Sequence, residues 1–251
     1  MNDKKFFKIN ILGWWGAFPQ PGGATSGVLI TTEEGRFLID IGSGVLSKYV
    51  GLGNADDDLK GVLISHLHYD HMGDLGCLGY TVNFSTRTGL RKNKLKVYAP
   101  QTPDIMWNAI QYPYYETFAL SDGMKISLAG TIITVKKLNH TIECYGFRIE
   151  KCGKVLVYHT DSSFEESHKD YMREADLLLC EATVSKNTKH STGIGHMSDL
   201  EAGKIAELSG AKKLCLIHLP SDGNLELMRA RAATEFTGSV STPDICSEFI
   251  L

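Results

Sequence analysis

Residues 61–74 read Gly61-Val62-Leu63-Ile64-Ser65-His66-Leu67-His68-Tyr69-Asp70-His71-Met72-Gly73-Asp74. The apolar run Val62 to Ile64 has the character of a β-strand, and the polar cluster begins where that strand should end. Side chains at a strand's end project from a rigid element into a cleft. Three imidazoles and one carboxylate within residues 66–71 suit zinc-type ions, because His supplies neutral nitrogen donors and Asp an anionic oxygen. Residues two apart on an extended segment point the same way, so His66 and His68 can share one ion. Asp70 and His71, on the turn that follows, can face a second. The bland alternative is a solvated His-rich turn, and a cluster this dense is a costly accident.

A single catalytic zinc needs three protein ligands and a water, whereas two ions need further donors. The sequence offers them at three more strand ends: His140 follows TIITVKKLN, Asp161 follows KVLVYHT, and His218 follows KLCLI. One His or Asp after a strand is ordinarily a cap or a surface residue. Recurrence at three strand ends would gather all of them at one edge of a layered fold.

The chain has 251 residues and 43% hydrophobic content, enough to bury one substantial core, so residues 1–251 are expected to form a single domain. Its 26 basic and 29 acidic residues lack the strongly basic footprint of a dedicated nucleic-acid-binding module. The opening MNDKKFFKINILGWWG has a short apolar run cut by Gly13 and reads as a first strand, not a signal peptide. No stretch is long enough to span a membrane. The six cysteines, Cys77, Cys144, Cys152, Cys180, Cys215 and Cys246, form no C-x-x-C pair and read as small buried hydrophobes in a reducing cytoplasm.

Short β-rich runs recur: FKINIL, SGVLIT, GRFLID, GVLISH, LKVYAP, MKISLA, TIITVKKL, YGFRIE, KVLVYHT, DLLLCEA, KLCLIHL and DICSEFIL. Ser198 and Glu201 form a capping-box signature ahead of a helix that Gly210 should stop, and Asn224 to Gly238 reads as another helix. Strands dominate the first half and alternate with helices in the second, which suits two packed sheets with helices outside. The stretch NFSTRTGLRKNK, with Arg87, Arg91, Lys92 and Lys94, reads as a solvated surface excursion, and a substrate-phosphate patch is the alternative. MWNAIQYPYYETF, residues 106–118, is dense in aromatics and reads as core, with a pocket wall as the alternative.

HLHYDH resembles the H-x-H-x-D-H signature of the metallo-β-lactamase superfamily, and the series His66, His68, Asp70, His71, His140, Asp161, His218 resembles its ligand set. The resemblance spans nearly the whole chain. It is greatest to the ribonuclease Z-like branch, through ILGWWGAFPQPGGATSGVLI, VYHTDSS and GHMSDLEAGKIAELSGAKKLCLIHLP. It implies an α/β fold, the αββα sandwich of two mixed β-sheets flanked by helices. It also implies two zinc ions, with His66, His68 and His140 on one, Asp70, His71 and His218 on the other, and Asp161 bridging. His196 aligns with a residue that assists catalysis in that branch without being a principal ligand; unaided by the resemblance, it reads equally as an ordinary histidine beside a helix N-terminus. Two departures argue against tRNA as substrate. Only twenty residues separate His140 from Asp161, too few for a long tRNA-gripping arm, and His218 is followed by Leu219-Pro220-Ser221-Asp222 instead of the branch's Ser and Arg-Tyr pattern.

Two neighbouring ions, zinc or alternatively manganese, activate water for attack on phosphorus and equally on a lactone, thioester or other carbonyl ester. The expected activity is that of a dinuclear phosphodiesterase on a small-molecule or short nucleic-acid substrate. Asp70 would orient the nucleophile or accept its proton, and His196 would protonate the leaving oxygen or stabilise an oxyanion. A carbonyl-ester hydrolase is the alternative, and a homodimer is compatible with either. A di-iron redox protein of this scaffold would commonly carry a carboxylate where this chain has His68.

Overall fold

The structure, a computed structural model, describes residues 6–53, 59–184 and 195–251. Alternation of apolar and polar residues makes the first strand, β1 (Phe7–Gly13), in which Phe7, Ile9 and Ile11 are buried while Lys8 and Asn10 are partly exposed. There follow β2 (Gly27–Thr32), β3 (Gly35–Ile39), α1 (Val45–Gly51), β4 (Leu59–Leu63), α2 (Tyr69–Met72), α3 (Leu75–Arg87), β5 (Leu95–Ala99), α4 (Asp104–Ala109) and β6 (Tyr115–Ala119). The second half contains β7 (Lys125–Leu128), β8 (Thr131–Leu138), β9 (Cys144–Lys151), β10 (Lys154–His159), α5 (Lys169–Met172) and β11 (Leu177–Glu181). It ends with α6 (Asp199–Ser209), β12 (Lys213–Ile217), α7 (Leu225–Glu235), β13 (Ser239–Ser241) and β14 (Glu248–Ile250).

One sheet has the strand order β14-β1-β2-β3-β4-β5-β6 and the other β13-β12-β11-β10-β9-β8-β7. Both are mixed: β1 to β3 are antiparallel and β3 to β6 parallel, while β8 to β10 are antiparallel and β10 to β13 parallel. Between the sheets lies a core that includes Ile9, Ile30, Phe37, Phe147, Ile149 and Leu177. A second cluster, including Tyr49, Leu78 and Val82, packs α1 and α3 on the outside of the first sheet. A third, including Met172, Ile205, Met228 and Ala232, packs α5, α6 and α7 on the second. This is the expected αββα sandwich. Strand β11 is buried at every residue, as a parallel strand covered on both faces must be.

All twelve β-rich runs overlap strands, but β6 and β13 were not foreseen. Strand β6 lies inside the aromatic run, where only Tyr115 is fully buried, and β13 is the short polar triplet Ser-Val-Ser. Helix α6 has the expected capping box: Ser198 Oγ accepts from Glu201 N, Glu201 Oε2 accepts from Ser198 N, and Gly210 closes the helix at φ +67°. Asn224 caps α7 by accepting from Leu227 N.

The basic stretch is not a solvated loop throughout. Residues up to Arg87 finish α3, and Arg91 is buried, donating from a terminal guanidinium nitrogen to Leu59 O at 2.7 Å. Arg91, Lys92 and Lys94 line a cavity of about 530 Å³ with Lys60 and Lys96, at the start of β4 and β5. Cys144, Cys180 and Cys215 are buried as expected, whereas Cys77 and Cys152 are exposed; all six thiols are free.

Candidate metal centre

The parallel strands fix the site's place. Beyond the C-terminal ends of β3, β4, β10, β11 and β12 come Asp40, Ser65-His66, Asp161, the β11 residue Glu181 with Thr183, and His218. Ligands of open parallel sheets gather outside such carboxyl ends. The basic cavity opens at the opposite ends of β4 and β5, so Arg91, Lys92 and Lys94 do not line this cleft.

Two groups of donors meet, and Asp161, His196 and His218 form a third that overlaps them. In the first, His66 Nε2 lies 3.0 Å from His68 Nδ1, and His140 Nε2 lies 3.3 Å from the same His68 atom. Asp161 Oδ2 is 3.6 Å from His66 Nε2 and 3.8 Å from His140 Nε2. In the second, Asp70 Oδ2 is 3.1 Å from His218 Nε2 and 3.6 Å from His71 Nε2. Asp161 reaches this group too, with Oδ1 3.4 Å from His71 Nε2 and Oδ2 3.5 Å from His218 Nε2. All seven residues singled out from the sequence therefore converge, and Asp161 touches both groups.

Whether these donors suit cations is decided by where the ring protons lie. Nδ1 of His66 faces Ser65 Oγ at 3.1 Å, Nδ1 of His71 faces Asp40 Oδ2 at 2.8 Å, and Nδ1 of His140 faces Gly195 O at 2.8 Å. Nδ1 of His218 faces Thr183 Oγ1 at 2.6 Å, and that hydroxyl donates to Glu181 Oε2. Each partner accepts, so each ring carries its proton on Nδ1 and turns an Nε2 lone pair inward. Lone pairs facing one another at 3.0–3.8 Å repel unless a cation lies among them. With Zn–N bonds near 2.0–2.1 Å, tetrahedral ligand atoms stand about 3.3 Å apart, which matches this spacing. The residues fit zinc-type ions.

Electrostatics agree. Burial holds His66, His68 and His140 below the ordinary imidazole pKa, so they are neutral at neutral pH, the state a cation requires of an imidazole donor. Burial would also depress His71, but Asp161 and Asp40 outweigh it and raise it to about 10. A metal ion would displace that proton. For Asp161 and Asp70 burial alone would raise the pKa; His218 and His71 instead hold both carboxyls well below the usual range.

His196 stands beside both groups. Its ring stacks on His218 at 5.5 Å with a 9° tilt, and its Nδ1 is 3.9 Å from Asp161 Oδ2. That Nδ1 is already engaged by Glu181, 3.1 Å from Oε2 and 3.2 Å from Oε1. Burial lowers its pKa, but the hydrogen bond and charge of Glu181 and the charge of Asp161 prevail, raising it to about 9. The position depends on Gly195, at φ +82°, whose carbonyl holds His140 and where a Cβ would meet His140 Nδ1 at 2.5 Å. Behind it, Arg231 Nε donates to buried Asp199 at 3.1 Å, tying the start of α6 to α7.

Sequence reading missed four participants. Asp40 is fully buried and accepts from Ser65 N (2.7 Å), Ser65 Oγ (2.8 Å) and Tyr158 Oη (2.7 Å) besides His71. Glu181 is equally buried, and its Oε1 accepts from Ser162 N at 2.6 Å, fixing the residue after Asp161. Thr183 links Glu181 to His218, and the backbone N–H of Ala17 donates to Asp70 Oδ2 at 2.9 Å. A charged residue closing an otherwise apolar strand, as in GRFLID and LLLCE, was the available signal for two of them. The aromatic run is mostly core: Trp107, Tyr112, Tyr114 and Tyr115 join the cluster under α3. Tyr112 and Tyr115 also line a groove of about 190 Å³ with Tyr69, which lies between His68 and Asp70.

A family model described as the beta-lactamase superfamily domain matches residues 35–219. The chain is similar to the probable metallo-hydrolase YhfI of Bacillus subtilis, 33% identical over 235 residues, 93% of this chain and 96% of that protein. The crystal structure of YhfI superimposes with a TM-score of 0.91 at 32% identity, covering 98% of this chain and 99% of the other. Ribonuclease Z of Mycobacterium bovis is 26% identical over 265 residues, covering 93% of this chain and 94% of that one. A diphosphatase structure from the PhnP family shares the fold at a TM-score of 0.78 and 18% identity, covering 98% and 97% of the two chains. With its sandwich, its donor cluster and these relatives taken together, the chain belongs to the metallo-β-lactamase superfamily, in the ribonuclease Z-like branch.

Proposed function

We propose that this metal-dependent hydrolase is a dinuclear phosphodiesterase of small-molecule or short nucleic-acid substrates, loaded with zinc or, second, manganese. His66, His68 and His140 would hold one ion, Asp70, His71 and His218 the other, with Asp161 bridging. When bound, two such ions lower the pKa of a shared water towards about 7 and clamp substrate oxygens. The rest falls to the chain's own groups. Asp70, steadied by the Ala17 N–H, orients the nucleophile or takes its proton. His196, kept cationic by Glu181, donates a proton to the leaving oxygen.

The observation that carries the phosphodiester reading is this His196–Glu181 pair, with Nδ1 3.9 Å from Asp161, because an alkoxide leaving from phosphorus needs an acid of this kind. The relatives named ribonuclease Z and diphosphatase support the same direction. Against precursor tRNA stands the interval between His140 and Asp161, which is taken up by β9 and β10 as a hairpin with no room for an arm. No helix among the described residues is long and apolar enough to cross a membrane, and six free thiols suit the cytoplasm. A panel of bis-p-nitrophenyl phosphate, a lactone, a thioester and precursor tRNA tests the reading. Turnover of the phosphodiester with poor tRNA processing is expected; inertness to phosphodiesters beside rapid lactone or thioester turnover would reverse it in favour of a carbonyl-ester hydrolase.

A further inference from the structure

The loop after β1 is built over the metal centre more tightly than its fold requires. Leu219 N donates to Trp14 O at 2.8 Å and Gly16 N donates to Leu219 O at 2.9 Å, so the loop is zipped to the residue following His218. Gly16 passes against the His218 ring, where a Cβ would lie 3.0 Å from Cε1. At Ala17 the backbone takes φ +62°, and Phe18 N donates to Gly16 O at 2.8 Å. This is a γ-turn of the rare hand, strained for any residue with a Cβ. Its result is that the Ala17 N–H points at Asp70 Oδ2, 2.9 Å away.

The same turn places the backbone of Phe18 next to the residue whose N–H reaches Asp70. The Cα of Phe18 follows that of Ala17 by about 3.8 Å, and Pro19 stiffens the chain beyond it. Phe18 is 55% exposed. A lone exposed apolar residue is ordinary on a protein surface. Here it sits one residue from a backbone N–H that donates to Asp70, on a loop held by backbone bonds between Trp14, Gly16 and Leu219. None of these hydrogen bonds uses the Phe18 side chain. An exposed aromatic side chain close in sequence and space to a phosphodiester site offers a planar base a stacking surface, and such stacking tolerates any base.

We propose that Phe18 is the platform on which the nucleobase of a nucleotide-type phosphodiester stacks at the mouth of the metal centre. The proposal rests on the phosphodiesterase reading and narrows its substrate class. It is tested with two esters that share the p-nitrophenolate leaving group, thymidine 5′-p-nitrophenyl phosphate and methyl p-nitrophenyl phosphate, on metal-replete protein. Phe18→Ala should lose about tenfold in kcat/KM on the thymidine ester, carried by KM, within the range for removing a base-stacking aromatic. On the methyl ester it should stay within about twofold, and Phe18→Tyr should behave as wild type on both. Thymidine 5′-monophosphate should inhibit bis-p-nitrophenyl phosphate turnover about tenfold more weakly in Phe18→Ala. Should Phe18→Ala lose metal or melt early, Phe18→Leu, which keeps apolar bulk without a π face, should show the same selective loss. Equal losses on both esters, or none on either, with active wild type would overturn the platform alone. A wild type inert to both esters would remove the phosphodiesterase reading and the platform with it.

Discussion

Asp40 Oδ2 lies 2.8 Å from Nδ1 of His71, and neither side chain is exposed to solvent. The pair couples the end of β3 to the metal motif after β4. A carboxylate behind a ligating imidazole fixes its tautomer and raises its basicity. Asp40→Asn keeps the shape but offers an amide where the site needs a second acceptor. Metal affinity at the His71 position should fall about 10–100-fold. Competition with a graded chelator, read by metal analysis, checks this; unchanged affinity would show that Asp40 is only a structural anchor for Ser65 and Tyr158.

Asp161 lies within 4 Å of both groups, through His66 and His140 on one side and His71 and His218 on the other. Asp161→Ala should therefore deplete both ions together. His218→Ala should empty mainly the position it shares with Asp70. Metal content after dialysis against weak chelator should approach zero equivalents for the first and about one for the second. If the two variants lost metal in the same pattern, the bridging assignment would be wrong.

Acid should act elsewhere through Asp176. Burial alone would raise its pKa, but hydrogen bonds from Lys212, the Val155 N–H and Lys154 outweigh burial and hold it below 3.8. A folded-state pKa below the unfolded one means stability that is present above about pH 4 and lost as the pH falls through the folded value. Both lysines are well exposed, so screening keeps the lysine contribution small. Urea midpoints for wild type and Asp176→Asn should differ at pH 7, and the gap should narrow as the pH falls below about 4. A gap unchanged over that range would exclude Asp176 as the titrating group.

The seven convergent residues were legible because each sits where an apolar run stops, and parallel strands bring such stops to one edge. Asp40 and Glu181 occupy the same kind of position, yet a single acid after GRFLI or LLLC looks like a cap, and its partners lie 31 residues away for Asp40 and His71 and 15 for Glu181 and His196. Thr183 and the Ala17 N–H carry no signal in side-chain chemistry at all, since one is a common hydroxyl and the other is backbone. Strand β6 was hidden for a different reason. Its Tyr-Glu-Thr-Phe-Ala sequence is only partly buried and does not alternate cleanly, so its pairing with β5 depends on tertiary context.

His196 separates an acid from a ligand. The ring nitrogen nearest Asp161 is Nδ1, at 3.9 Å, and it is already held by Glu181, although His196, Asp161 and His218 also bring donor atoms within 4.8 Å of one another. His196→Ala should keep full metal content and lose roughly 10²-fold or more in turnover. The loss should shrink with nitrophenolate leaving groups, which depart without protonation, and grow with alkoxides. Glu181 raises the pKa of His196, so an acid role places the alkaline limb of kcat/KM at or below about 9, lower where cations neutralise Asp161. Activity is then present below that limb and lost as the pH rises through it. Glu181→Gln should move the limb towards the ordinary imidazole value of about 6.5 while leaving the ring in place. A pH profile that does not shift in Glu181→Gln, together with leaving-group independence in His196→Ala, would make His196 a packing residue. Metal loss equal to that of His218→Ala would make it a ligand.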